Sequence, residues 1–165
     1  MTDPTINYPR AASREEWLQA RKALLDQEKE LTRARDRLNS ARRELPMVRI
    51  EEPYCFDAPT GPKSLRDLFE DRLQLVVYHF MWHWEKGQPL ETPCKGCASF
   101  VDQLARGHLT TLHQRHTALA IVSRGPLAKL VPFWKRMGWK VPLYSSFHST
   151  FNHHFGVTMD SSIAP

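Results

Sequence analysis

Cysteine is scarce in this chain. Three thiols, Cys55, Cys94 and Cys97, stand among 165 residues. An odd, small number of cysteines builds no disulfide scaffold, which points to working thiols rather than structural bridges. Long hydrophobic runs are also missing. No stretch reaches the ~18 apolar residues of a membrane span, and the mean hydropathy of −0.50 is that of a soluble chain. The start, Met1-Thr2-Asp3-Pro4, has neither the basic nor the apolar segment of a secretory signal. The expected setting is therefore the cytoplasm, with no membrane partner. No zinc-finger, RRM or helix-turn-helix pattern occurs. The net charge of +5 comes from Lys and Arg interleaved with Asp and Glu, which reads as solvated surface rather than a nucleic-acid face. The chain has no Gly-x-Ser-x-Gly, P-loop or Gly-x-Gly-x-x-Gly, and neither repeats nor low-complexity segments. The pairs Glu15-Glu16 and Glu51-Glu52 fall in cap or turn contexts.

What is present centres on Pro93-Cys94-Lys95-Gly96-Cys97. An apolar run over 73–82 reads as a buried strand just upstream, and a helix-forming run over 98–106 follows. A helix start turns unpaired N–H groups toward the first sulfur and favours its anion. Lys95 adds a positive charge. Both lower a cysteine pKa, and Cys97 is spaced to resolve a mixed disulfide on Cys94. The catalytic candidates are thus Cys94, Cys97 and Lys95, with Phe80, Trp82 and Trp84 walling the pocket. Cys55 reads as a packed core residue.

Along the chain, residues 1–12 read as an extended arm. Ser13-Arg14-Glu15-Glu16 fits a capping box that opens a helix running to about Glu44, ended by Leu45-Pro46. Trp17, Leu18, Leu24, Leu25, Leu31, Leu38 and Leu45 mark its apolar stripe. A helix this long exceeds the needs of a small domain, so it either packs along the body or pairs with a second subunit. Residues 47–50 read as a short strand that a segment to Phe56 extends as a hairpin. A turn at Pro59-Thr60-Gly61-Pro62 and a short helix capped by Ser64 follow. The run over 73–81 is apolar on both faces, as in the middle of a covered sheet. Residues 82–93 read as a polar loop, 117–123 as the next strand, 126–137 as a helix, 141–145 as a weaker strand, and 146–157 as a turn or short helix. Strand, Cys-x-x-Cys helix, strand, helix, strand implies right-handed crossovers and a largely parallel sheet. The fold class is therefore α/β, a thioredoxin-like three-layer sandwich with a long N-terminal helix. Its division is an arm and helix over 1–46, a thioredoxin-like domain over 47–158, and a loose tail over 159–165.

Eight histidines surround the thiols in sequence. His79 and His83 fall near the C-terminal end of the first long strand, where βα folds keep their active sites. His79 by itself reads as a hydrogen-bonded core residue. Thiolate with imidazole also suits zinc or Cu(I), so Cys94, Cys97, His79 and His83 form an alternative metal set. In that reading copper or zinc is the cofactor of a carrier or a metal-dependent oxidase. The redox reading needs no cofactor; its partner is a protein or small-molecule thiol or disulfide. A third reading is a non-enzymatic oligomeric scaffold built on the long helix. A homo-oligomer is expected.

Several strings are shared with a known family: Glu28-Lys29-Glu30, Arg42-Arg43-Glu44-Leu45-Pro46, Leu65-Arg66-Asp67-Leu68-Phe69 and Gln74-Leu75-Val76-Val77-Tyr78-His79-Phe80-Met81 come first. The cysteine motif, Val122-Ser123-Arg124-Gly125-Pro126-Leu127, Lys135-Arg136-Met137-Gly138-Trp139 and Phe151-Asn152-His153-His154-Phe155-Gly156-Val157 follow. Over about residues 13–158 the chain resembles the DUF899 proteins, relatives of the alkyl-hydroperoxide-reductase and thioredoxin group. The resemblance implies a thioredoxin-like fold and supplies no settled reaction. It also implies a further hairpin and final helix beyond the Phe-Gly-Val segment, whereas this sequence stops at Pro165. A sheet edge left open is the expectation, covered by a second subunit or by the 47–56 hairpin. Finally, it implies a cis-proline facing the cysteines, with Pro126 and Pro142 as candidates.

Overall fold

A computed structural model describes residues 8–104 and 106–158, the side chain of Arg106 excepted. Residues 1–7 of the expected arm and the expected tail lie outside the described residues. The chain divides after Ile50 into two units.

The first unit is a single helix, α1 (Arg14–Arg43). Its start is the capping box read from the sequence. The Glu16 N–H donates to Ser13 Oγ at 3.1 Å, and the Ser13 N–H donates to Glu16 Oε2 at 3.3 Å. Glu15 and Glu16 at its start and Arg42 and Arg43 at its end complement the helix dipole. None of its residues is buried. Residues 47–50 form no strand and are exposed; among the described residues Met47 and Val48 have no facing strand to pair with, so their β propensity has nothing to act on.

The second unit is a mixed α/β body. The short strands β1 (Cys55–Phe56) and β2 (Lys63–Ser64) pair antiparallel around the Pro-Thr-Gly-Pro turn. A single 3-10 turn, Asp67–Phe69, follows. It is held by reciprocal bonds in which the Ser64 N–H and Oγ donate to Asp67 Oδ2 and the Asp67 N–H donates to Ser64 Oγ. The main sheet is parallel. In it β3 (Gln74–His79) lies beside a long strand, Thr117–Ser123, which in turn lies beside a short one, Leu143–Ser145. Between the first two come β4 (Trp82–Glu85), β5 (Gln88–Pro93), α2 (Lys95–Asp102) and α3 (Arg106–Gln114). The long strand is then β6, α4 (Leu127–Met137) follows it, the short strand is β7, and α5 (Phe151–His154) comes last.

Three expectations are corrected here. The central strand is β6, whose seven residues are all buried; β3 is an edge, with Leu73 and Val76 exposed. A run of bulky apolar residues reports burial of its faces, and it does not report which strand has neighbours on both sides. Ala118 and Ala120 in β6 are small and muted the pattern there. Residues 82–93 are not a loop but an antiparallel hairpin, β4–β5. Its two-residue turn is Lys86-Gly87, both at positive φ (47° and 75°), as the favoured hairpin turn demands. The cysteine helix ends at Asp102 rather than near 106, closed by short turns from Gln103 to Phe100 and from Leu104 to Val101.

β6 carries core on both faces. Leu119 and Ile121 pack with Phe80, just past the end of β3, and with Trp82, Cys97, Val101, Leu130 and Phe133 from β4, α2 and α4. Ala120 and Val122 pack with Tyr54, Phe56, Leu68, Tyr144 and Phe151 on the other face. Burying Phe56, Phe80 and Phe151 fully contributes roughly 2–3 kcal/mol each. Asp57 bridges to Ser145 through two backbone bonds of 2.9 and 2.8 Å. The segment after β1 therefore borders β7. The expected 47–56 hairpin does not cover the open edge, and β3 has no outer neighbour among the described residues.

Candidate active site

α4 has Pro126 at its N-cap and is closed by Gly138 in the left-handed conformation. Ahead of it, Gly125 faces Trp82. A Cβ on Gly125 would lie 2.9 and 3.0 Å from two ring atoms of Trp82. The absence of a side chain is what lets the β4 tryptophan seat there. Trp82 Nε1 donates to the Leu90 carbonyl at 2.7 Å. Lys129 Nζ on α4 donates to the Pro89 carbonyl and to Glu91 at 2.7 and 2.6 Å. Trp84 stacks on Phe147, and the Arg124 guanidinium lies 4.7 Å over its ring. The hairpin is thus pinned to α4 and to the loop after β6, just ahead of the cysteines.

Cys94 occupies the N-cap position of α2. Its N–H donates to the Met81 carbonyl at 3.0 Å, tying the motif to the start of the hairpin. Its thiol is half-buried, and Cys97 behind it is buried. The Cys97 N–H is the largest influence on Cys94 and holds its pKa below the ordinary thiol value; the Gly96 N–H and the Cys97 thiol add to this, and burial opposes it. Lys95 is exposed and is not among these influences, so backbone amides fill the role the sequence gave to its charge. All three thiols are free, and Cys55 is exposed rather than packed.

Cys94 opens on a cavity of about 270 Å³. Phe80, Trp82 and Trp84 line it, as do His79, His83, Arg124 and Asn152. Among the described residues no carboxylate lines it. Arg124 and Asn152 stand in strings shared with the family but were not read as site residues, because each lies far along the chain from the thiols. Asn152 is fixed by Ser146 Oγ, which donates to its Oδ1 at 2.5 Å. Tyr78 was missed as well. Burial first, then a hydrogen bond with the Cys97 thiol, raises its phenol pKa well above the usual value. Its ring stacks on Phe100 at 4.2 Å. The signal was its two-residue spacing from Phe80, which puts both on one strand face.

His79 is half-buried and stacked on Phe151 at 5.6 Å. Burial lowers its pKa. Its Nδ1 is buried without a partner among the described residues, so it is not the hydrogen-bonded core histidine expected. His79, His83 and Cys94 share the cavity, yet among the described residues no three His, Cys, Asp or Glu side chains converge on one point. The four-residue metal set is therefore not assembled. His108 and His113 ride on α3, and His154 Nδ1 meets the Tyr54 hydroxyl at 2.8 Å. No peptide bond among the described residues is cis, which corrects the expectation for Pro126 and Pro142.

Comparison with known proteins yields no match among curated proteins and none among solved structures. A family described as a bacterial protein of unknown function, DUF899, matches residues 6–164. That match covers nearly the whole chain, including both cysteines, the hairpin and every cavity residue, and so the chain belongs to the DUF899 family.

Proposed function

We propose that the protein is a thioredoxin-like dithiol oxidoreductase in which Cys94 is the nucleophile and Cys97 the resolving thiol. One observation carries the reading: Cys94 caps α2, half-exposed to a cavity, with its pKa lowered by amides of its own motif. The parallel βαβ order and the core on both sheet faces support the thioredoxin-like assignment.

The Cys94 thiolate attacks one sulfur of a substrate disulfide, and the other sulfur leaves as thiolate. Cys97 then loses its proton and attacks Cys94, releasing the second substrate thiol and leaving a Cys94–Cys97 disulfide. An external dithiol restores both thiols and takes up the oxidation. With a peroxide, Cys94 attacks the O–O bond, becomes a sulfenic acid and releases an alcohol or water. Cys97 condenses with it and water leaves. The Cys97 and Gly96 amides at the start of α2 favour the anionic sulfur in either case.

Reduced protein is incubated with insulin or an organic peroxide in the presence of a dithiol. Turnover is expected in the wild type and lost in Cys94→Ser. Cys97→Ser is expected to accumulate the mixed disulfide, read by intact mass. Undiminished turnover in Cys94→Ser overturns the assignment.

A further inference from the structure

We propose that α1 pairs antiparallel with α1 of a second copy of this chain, in one particular register. Trp17, Leu24, Leu31 and Leu38 recur every seven residues, and all are 48–64% exposed. Three residues after each come Ala20, Gln27, Ala34 and Ala41, exposed too. Large residues at one core position and small ones at the other form a two-stranded seam. Alanines opposite leucines let the axes come close, within the usual 8–10 Å range.

Charge selects the occupant and the register. Consider the antiparallel pair in which Leu31 meets Ala34 of the other copy. Leu24 then meets Ala41, and Leu38 meets Gln27. On the flanks, Glu28 comes opposite Arg35 and Glu30 opposite Arg37, each occurring twice by symmetry. The one clash is Arg21 with Arg42, and Arg21 is already paired to Glu28 of its own chain at 3.0 Å. Sliding one heptad in one direction sets Glu28 against Glu28, Glu30 against Glu30 and Arg21 against Arg35. Sliding in the other direction sets Arg35 against Arg35, Arg37 against Arg37 and Glu30 against Glu44, with Glu28 against Arg42 as the one attraction. The in-register parallel pair matches Glu30 with Arg35 and Glu16 with Arg21 but sets Arg37 against Arg42, and Glu16 and Arg21 are already engaged within their own chain, with Arg10 and Glu28. Counted over the charges with no ion pair in their own chain among the described residues, only the first arrangement leaves attraction dominant, through the two Glu30–Arg37 pairs. Glu30, Arg35 and Arg37 have no ion-pair partner within the chain among the described residues.

The test is sedimentation velocity on the full chain, at low and high salt. A dimer is expected, and Leu31→Gln, a good helix former, should make it monomeric. Thiol reactivity of Cys94 should be unchanged in that variant, which reports that the second unit is intact. Arg37→Glu sets Glu30 against a second carboxylate at both ends and should weaken dimerisation about tenfold. Adding Glu30→Arg restores the pairs and should restore affinity. A monomer at every soluble concentration overturns the proposal. So does tighter association in Arg37→Glu, the signature of the parallel pair, or a dimer indifferent to Leu31→Gln.

Discussion

Gly125→Ala tests the packing that builds the cavity wall. The added methyl would sit 2.9 Å from Trp82 Cγ, 3.0 Å from Trp82 Cδ2 and 3.2 Å from Leu130 Cδ2. The ring has little room to retreat. Its Nε1 is held by the Leu90 carbonyl, it makes a T-shaped contact with Phe133 with ring centroids 5.9 Å apart, and it is buried. Gly125 cannot easily withdraw either, because its N–H donates to Ser123 Oγ and its carbonyl accepts from Ser145 Oγ. Overpacking of this kind costs about 1–3 kcal/mol. Replacing glycine by alanine returns roughly 0.4–1 kcal/mol by restricting the unfolded chain. The expected net loss is about 1–2 kcal/mol, or a fall of about 2–8 °C in the thermal midpoint. Denaturant unfolding followed by tryptophan fluorescence measures it. Trp82→Phe in the same chain opens room, so the double variant should lose at least about 1 kcal/mol less than the sum of the singles. A Gly125→Ala protein as stable as the wild type, or strictly additive behaviour with Trp82→Phe, would refute the argument.

Two further predictions concern titration. The alkylation rate at Cys94 should rise with pH around a midpoint below the ordinary thiol value of about 8.5, because amides favour its anion. Cys97→Ala removes the thiol but keeps the dominant N–H, so the midpoint should rise and still stay below that value; a midpoint at or above it in the wild type contradicts the cap geometry. The linked stability has a definite sign. The unfolded chain binds more protons at Cys94 in this window, so the reduced protein should gain stability as pH rises toward about 8.5. His79 works in the same direction at lower pH. Burial lowers its pKa in the folded state, so stability should fall as pH drops below about 6.5. His79→Phe keeps the stacking on Phe151 and should flatten that acid limb; an identical limb in the variant would show that His79 does not cause it.

The readings that held were local. The Ser13 box, the strand over 117–123, the helix closed at Gly138 and the cysteines at a helix start each depend on groups within a few residues. Such patterns are written in the chain at the scale on which they act. The hairpin over 82–93 was legible in principle. Its Lys-Gly turn and the alternation of Trp82 and Trp84 were present, but the polar residues between them concealed the period.

By itself, then, the sequence determined the capped helix, the parallel strand order and a thiol at a helix mouth, because short-range hydrogen bonding and apolar periodicity decide those. Tertiary structure alone decided that β6 is central and β3 an edge, since edge or centre depends on which strands meet across forty residues or more. It alone brought Arg124 and Asn152 to the wall facing Cys94. It also shifted the burden of ionising that thiol from the Lys95 ammonium to backbone amides. A side chain's charge can be read in a sequence; where it points cannot, whereas the amides at a helix start have only one direction to face.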